Sequence, residues 1–252
     1  MIIIKMIKKA LKNKHILFYN RLCYKMKVKL ISYSKPFVSE ECGLTKDTSL
    51  PDKSQSLQDQ VSYCARVSNP ANQNNTETND KLIKYLIKNQ HWSPFEMVSI
   101  CLEIETTRDI ARQILRHRSF SFQEFSQRYA VVEETPVPKE ARFQDLKNRQ
   151  SSIECSDNEL TEEWKKVQAS VIQASEEAYR WALEKGIAKE VARCVLPEGL
   201  TPSRMYMNGT LRSWIHYIQL RSGNGTQKEH REVALACLEA IKPIFPMIEQ
   251  IL

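Results

Sequence analysis

The chain lacks any apolar run that approaches the roughly 20 residues a membrane-spanning helix needs. It also lacks a CxxC pair, and its seven cysteines are scattered and odd in number. Neither a disulfide framework nor a zinc site is therefore indicated. These absences predict a soluble, metal-free protein in a reducing compartment, and we expect it in the cytoplasm.

Residues 1–25 contain no acidic residue, although they carry six lysines and one arginine. Without those seven cations the chain has 30 Lys and Arg against 30 Asp and Glu, so the net charge of +7 belongs to this tail. The tail could be a membrane-surface helix, a mitochondrial targeting peptide or an extension upstream of a start at Met26. It has no secretory h-region, and its single Arg and absent Ser are unlike a transit peptide. We expect residues 1–25 to be a dispensable, disordered or untranslated extension and residues 26–252 to form one domain.

From Met26 onward, hydrophobic periodicity predicts many helices and few strands. Period-two alternation predicts a first strand in MKVKLISYS from Met26 and a second over Met97–Glu105. Helical periodicity predicts helices over six ranges: Asn79–Asn89, Thr106–Leu115, Asn158–Leu183, Ala188–Leu196, Arg212–Leu220 and Gln227–Ile241. The sequence shows no internal repeat and no clean linker after residue 26. This pattern indicates one helix-rich α+β domain.

Asn158–Leu183 is the longest predicted helix. Its apolar residues keep to one stripe: Trp164, Val167, Val171, Ala174, Ala178 and Trp181. Such a stripe is typical of a helix that packs on one side. Gly186 is expected to end the helix, because glycine adopts the left-handed conformation at little cost.

The stretch RHRSFSFQEFSQRY, residues 116–129, concentrates positive charge directly after the helix predicted to end at Leu115. Arg108, Arg112 and Arg116 stand at i, i+4 and i+8, where side chains advance only about 40° per step around a helix. The three arginines should therefore share a face. Such a face is either solvated and balanced by nearby acids, or it meets a polyanion. The nearby acids are Glu103, Glu105 and Asp109.

The residues that follow favour the polyanion. Arg118 and Arg128 extend the positive charge, and Ser126 adds a hydroxyl between them. Arginine forks match phosphate oxygens bidentately, while serine hydroxyls and loop N–H groups can complete an anion cradle. The stretch therefore predicts a site for a phosphorylated small molecule.

Six short blocks in this order resemble the flavin-dependent thymidylate synthases. The signature block is RHR, seven residues and then Ser, in RHRSFSFQEFS at 116–126, with RY directly after Gln127. The other blocks are ARVS at 65–68, HWSPFE at 91–96, ARQ at 111–113, ARCVLP at 192–197 and RSWIHYIQLR at 212–221. One short motif can match by chance, but six in order do not.

The resemblance implies a helix-rich α+β fold with a small, mostly antiparallel sheet. It implies conversion of dUMP to dTMP, with reduced FAD, methylenetetrahydrofolate as carbon donor and NADPH as source of the hydride. It also implies a homotetramer in which each active site draws on several subunits, with neither metal nor nucleic acid bound. Two anionic ligands in one cleft would account for the concentration of arginines.

The resemblance also assigns site residues by position. The FAD-binding residues implied are His91, Ser93, Arg116, His117, Arg118, Glu124, Arg212 and His216. The dUMP-binding residues implied are Gln113, Arg116, Glu124, Phe125, Ser126, Gln127, Arg128, Arg193 and Arg221. Arg221 is the catalytic residue implied, because a guanidinium stays charged and can stabilise an ionised uracil ring.

Three other residues receive no catalytic role. Ser126 is interpreted as a hydrogen-bonding residue, since no base adjacent to it can be identified. Cys194 is interpreted as part of a helix that ends at Pro197. No role is assigned to His230.

The chain departs from the family pattern in several places. Gln123 stands for Asn, Met97 for His and Thr210 for Asn, and the block RSGNGTQKEHRE at 221–232 lacks a usual histidine. A variant branch is implied. Two alternatives remain: a non-catalytic nucleotide-binding protein on the same scaffold, and a nucleic-acid-binding protein that uses the basic tail, against which the neutral body argues.

Overall fold

The computed structural model describes residues 26–35 and 56–251. The expectations for the tail at residues 1–25 lie outside the described residues. Within the described ranges, no helix combines the length and apolarity required to cross a bilayer.

A four-stranded antiparallel sheet forms the centre of the structure. Its strands are β1 (Lys27–Tyr33), β2 (Ser99–Thr107), β3 (Phe120–Glu124) and β6 (Pro202–Thr210), in the order β1-β2-β6-β3. A separate hairpin pairs β4 (Arg142–Gln144) with β5 (Ser152–Glu154). The predicted α+β class with a small antiparallel sheet is confirmed.

Strand β2 shows how the sequence produces the sheet. Its even-numbered residues Ile100, Leu102 and Ile104 are completely buried, whereas the residues between them are partly exposed. Alternation with period two places one face of a strand on the core. The strand pairs with β6 along its whole length, from Ser99 opposite Thr210 to Thr107 opposite Pro202.

Seven α-helices surround the sheet in the described residues. They are α1 (Leu57–Ala65), α2 (Asn79–Lys88), α3 (Arg108–Ile114), α4 (Asn158–Glu184), α5 (Lys189–Ala192), α6 (Leu211–Arg221) and α7 (Lys228–Ile241). Side-chain oxygens of Ser56, Asp157 and Thr210 cap the N-termini of α1, α4 and α6 by accepting a backbone N–H. These local signals explain where three of the helices begin.

The core lies between the sheet and the helices α6 and α7. Helix α6 is buried on most sides, and the indole Nε1 of Trp214 donates to the carbonyl of Ile100 at 3.0 Å. Helix α7 contributes Val233, Cys237 and Ile241, all fully buried. These contacts hold α6 and α7 against the sheet.

Three parts of the predicted secondary structure are wrong. Strands β3 and β6 were not predicted, because the buried residues of β6 include Met205, Met207 and a glycine, which give a weak strand signal. The helix predicted over Ala188–Leu196 is only the single turn α5 followed by a 3₁₀ helix at Arg193–Val195. Helix α3 ends at Ile114, so Arg116 lies beyond the helix that was predicted to carry it.

The apolar stripe of α4 exists but does not face the core of the described chain. Trp164, Val167, Val171 and Trp181 are 40%, 48%, 46% and 56% exposed. The buried residues of this helix lie on another side: Gln168, Ile172, Tyr179 and Ala182. The stripe is therefore a surface feature of this chain.

Candidate active site

The carboxylate of Glu124 is held inside the protein at the end of β3. Its Oε1 accepts hydrogen bonds from Arg108 Nη1 at 3.4 Å and from Ser203 Oγ at 2.7 Å. Arg108 is only 7% exposed, so this pair neutralises a buried guanidinium. Glu124 thus anchors the start of the loop that carries the predicted dUMP residues 125–128.

The acids that balance the arginine series are not the predicted ones. Arg108 pairs with Glu124, and Arg112 pairs with Glu198 at 3.0 Å. The predicted partners are engaged elsewhere, Glu105 with Lys27, Asp109 with Lys139 and Glu103 with Tyr206.

Arg116 and Arg118, beyond α3, are exposed, and neither has a carboxylate partner within residues 26–35 and 56–251. These two guanidiniums are available for an anionic ligand.

His117 lies against the last residue of α6. The Nε of Arg221 donates to His117 Nε2 at 2.9 Å. Since a guanidinium is always a donor, this imidazole nitrogen must carry a lone pair, and the ring is neutral. Burial, then the charges of Arg221 and Arg116, lower the pKa of His117 to about 4. His117 therefore orients Arg221 and is uncharged at neutral pH.

His230, unassigned from the sequence, lies fully buried in the same cluster. Its Nε2 is 3.1 Å from the hydroxyl of Tyr217, and its Nδ1 is 3.2 Å from Oε1 of Gln113. The amide nitrogen of Gln113 donates to Gln227 Oε1 at 2.8 Å. Gln113 Oε1 must then accept from His230 Nδ1–H, which leaves His230 Nε2 to accept from Tyr217. Burial, then the charges of Arg221 and His117, lower the pKa of His230 to about 3.

These contacts show which functional residues the sequence reasoning missed. Gln227 and His230 hold Gln113, a predicted dUMP residue, from more than a hundred positions away in the chain, and Tyr217 in turn holds His230. The available signal was one histidine on an otherwise apolar face of α7. Such a histidine is more often structural than functional, so the sequence alone did not distinguish it.

The predicted flavin residues of two distant blocks lie close together. Arg212 Nη1 donates to Glu96 Oε1 at 2.6 Å, and the ring of His216 meets the edge of Trp92 with centroids 4.8 Å apart. The pKa of His216 is lowered by burial and by Arg212. These contacts join the 3₁₀ helix Ser93–Met97, which follows His91, to the exposed face of α6. Arg212 and His216 therefore lie next to the segment that carries His91 and Ser93, through contacts with Glu96 and Trp92.

A third group forms around the loop after β3. Arg128 Nε lies 3.4 Å from a carboxylate oxygen of Glu190, and Arg193 Nε donates to the backbone carbonyl of Glu190 at 3.3 Å. Gln127 is 4% exposed, and in the described chain its amide nitrogen has no hydrogen-bond partner. Ser126 is exposed and its carbonyl closes the turn that follows. Two arginines 65 positions apart therefore meet at one place.

The groups around Arg193 and Arg221 are separate in one chain. Within the described residues, no hydrogen bond or ion pair joins Arg128 or Arg193 to the cluster of His117 and Arg221. Nor do the described residues contain a group of three or more His, Cys, Asp or Glu that could hold a metal ion.

One departure from the family pattern, Thr210, has a structural explanation. The hydroxyl of Thr210 accepts from the backbone N–H of Ser213 and caps α6, so it serves the helix. Gln123 lies exposed on β3 opposite Tyr206, and Met97 is 60% exposed.

Two proteins of the family resemble this chain over most of their length. The probable flavin-dependent thymidylate synthase of Paramecium bursaria Chlorella virus 1 is 50% identical over 227 residues, which are 90% of this chain and 99% of that protein. The flavin-dependent thymidylate synthase of Synechocystis is 52% identical over 189 residues, 75% of this chain and 86% of that protein.

A solved structure shares the fold. The crystal structure of the UMP/dUMP methylase PolB from Streptomyces cacaoi, bound with 5-Br dUMP, matches with a TM-score of 0.71 and 24% identity. The match covers 90% of this chain and 94% of that one. The model of the family described as thymidylate synthase complementing protein, Thy1, matches residues 49–247. The chain therefore belongs to the thymidylate synthase complementing protein family, which includes the flavin-dependent thymidylate synthases.

Proposed function

We propose that the protein methylates dUMP to dTMP, with FAD as cofactor, methylenetetrahydrofolate as carbon donor and NADPH as reductant. Membership of the family and the names of the relatives support this activity. The observation that carries it is the hydrogen bond from Arg221 Nε to His117 Nε2. It joins the signature stretch at 116–126 to Arg221, the residue to which we assign the catalytic role.

Arg221 would act on the uracil ring of dUMP. Its Nε is engaged by His117, which leaves the two Nη groups to face a ligand. A guanidinium held in this way is a fixed positive charge, and it stabilises negative charge that develops on the uracil during its activation. Because His117 and His230 have pKa values of about 4 and 3, both are neutral at pH 7 and hold their neighbours without titrating.

The other proposed dUMP residues would bind either the base or the phosphate. Gln113 has its carbonyl oxygen occupied by His230 and one N–H by Gln227, so a single amide N–H remains for the base. Arg128 and Arg193, which meet at Glu190, suit the phosphate, since arginine binds phosphate oxygens bidentately.

The loop residues Phe125, Ser126 and Gln127 would surround that phosphate. The buried amide nitrogen of Gln127, which has no partner in the described chain, is suited to a ligand oxygen.

The residues present fit FAD. Arg116 and Arg118 lack carboxylate partners in the described chain and suit the pyrophosphate of a dinucleotide. The group of His91, Ser93, Arg212 and His216 would hold a further part of it, while Glu124 keeps the adjoining loop in place. When bound, FAD supplies the redox chemistry that accepts a hydride from NADPH.

We also infer that the protein works as a homotetramer with shared active sites. The exposed residues Val167, Val171 and Trp181 of the α4 stripe support an interface, since monomeric proteins rarely leave apolar patches of this kind uncovered. The separation of the Arg193 group from the Arg221 group supports sites completed by another copy.

We place the enzyme in the cytoplasm and treat residues 26–252 as the catalytic domain. The described cysteines, which form no disulfide among themselves, suit a reducing compartment.

The activity is tested by dUMP-dependent oxidation of NADPH by the purified chain supplied with FAD. We expect dTMP only when dUMP and methylenetetrahydrofolate are both present, and we expect Arg221→Ala to remove it while flavin stays bound. Binding of dUMP without flavin would instead establish the non-catalytic nucleotide-binding protein. Repeating the assay on a chain that starts at Met26 tests whether residues 1–25 are dispensable.

A further inference from the structure

A cleft of about 650 Å³ lies beside the residues assigned to dUMP, since Gln227 lines it and also accepts a hydrogen bond from Gln113. Its walls come from the hairpin β4–β5, the first turns of α4 and the loop that enters α7. None of the assigned residues lines it. Its volume is within the range of small-molecule sites in proteins.

One wall carries uncompensated positive charge. Arg149 has no carboxylate partner in the described chain, and Arg231 donates only to the neutral side chain of Asn224 at 3.2 Å. The other two cations of the lining are already paired, Arg142 with Glu229 and Lys228 with Glu140. The lining as a whole contains four cations and two carboxylates, Glu140 and Glu154, so it favours an anion.

The lining also contains apolar side chains, among them a fixed aromatic ring. Phe143, Leu160 and Trp164 line the cleft with about two fifths of each side chain exposed, at 40%, 39% and 40%. The indole Nε1 of Trp164 donates to the carbonyl of Lys139 at 3.1 Å, which holds the ring in place. A flat ring system can stack on such a surface without an entropic cost for ordering the tryptophan.

We propose that this cleft binds a nucleotide as a second ligand site of the protein. The base stacks on Trp164 and the phosphates lie between Arg149 and Arg231. Phosphate is the anion of choice because a guanidinium can bind phosphate oxygens bidentately, and the lining offers two guanidiniums, Arg149 and Arg231, without a carboxylate partner in the described chain. The proposal rests on the assignment of dUMP to the residues around Gln113, Arg193 and Arg221.

The first test is isothermal titration of the full chain, saturated with dUMP, using dTTP, ATP and NADP⁺ as separate probes. We expect at least one probe to bind, and the double variant R149Q/R231Q to weaken it at least about tenfold through loss of two charge-assisted contacts. The matched control R180Q changes an exposed arginine of α4 outside the cleft and should leave binding unchanged. Absence of binding by all three probes at millimolar concentration would overturn the proposal, as would equal affinity in the double variant.

The second test needs no variant. Cys155 lines the cleft and is half-buried, whereas Cys194 is exposed and outside it. Alkylation by iodoacetamide, followed by peptide mass spectrometry, should slow at least about threefold at Cys155 when the probe is bound, with Cys194 unchanged. An unchanged rate at Cys155 contradicts the proposed position.

Because the chain is saturated with dUMP during the titration, binding of a probe tests the second site separately from the substrate site. If R149Q/R231Q instead abolishes the binding of dUMP itself, the cleft is the substrate site, and the proposal of a second site fails.

Discussion

Replacing His230 with Phe tests whether the buried network positions the substrate. Phenylalanine keeps a flat ring of similar size but removes the hydrogen bonds to Gln113 and Tyr217. Two polar groups, the buried Tyr217 hydroxyl and the partly buried Gln113 amide, then lose a partner, and at roughly 1–3 kcal/mol each we expect the free energy of unfolding to fall by about 2–6 kcal/mol. Released from His230, Gln113 can rotate, so we expect the KM for dUMP to rise about two- to tenfold, equivalent to one neutral hydrogen bond.

A second variant on α7 separates this positioning from lost stability. Val233 is also fully buried, but it makes no polar contact to Gln113. V233A should cost about 2 kcal/mol of stability through the cavity it leaves, with an unchanged KM for dUMP. The assays are urea unfolding and steady-state kinetics on both variants. If H230F raises KM no more than V233A does, His230 does not orient Gln113 and the reasoning is refuted.

Three further predictions concern pH, packing and assembly. The folded pKa of His230, about 3, lies below its ordinary value of 6.5, so the unfolded state binds more protons between these pH values. The contribution of His230 to stability should therefore fall by about 2 kcal/mol between pH 7 and pH 5. The H230F variant should lack this component in urea unfolding and should keep the similar component of His117, whose pKa is about 4. A Cβ on Gly209 would come within 2.4 Å of the Phe120 ring, so G209A should destabilise by about 1–3 kcal/mol, whereas G223A, with open space, should not. Placing a charge in the α4 stripe with V171E should yield a folded chain of smaller molecular mass by light scattering; an unchanged tetramer would exclude this interface.

Much of the fold could be predicted from local pattern. Strand β2 alternates with the two-residue period of a half-buried strand, and helices such as α2, α6 and α7 follow their hydrophobic periods to within a few residues. Gly186 follows the end of α4 with a φ of 76°, the left-handed conformation that was predicted for this glycine. These features depend on backbone geometry within one or two turns, which neighbouring residues determine.

The central strand of the sheet could not be predicted in the same way. The buried side of β6 contains methionines and Gly209, whose alternation is weak, yet β6 pairs with both β2 and β3. Its position depends on partners about 80 to 110 residues away. For α4, by contrast, the helix and its apolar stripe were predicted, but periodicity could not show that the stripe is exposed in this chain.

The sequence by itself determined the family, the antiparallel α+β class and the set of residues from which the site is proposed, because motifs and periods are properties of short segments. Only the tertiary structure decided that His117 accepts from Arg221, 104 positions away, and that His230 holds Gln113 from 117 positions away. Contacts at such separations depend on how α3, α6 and α7 pack around the sheet. No local pattern contains that information, since hydrogen-bond partners this distant are selected by shape and burial in three dimensions.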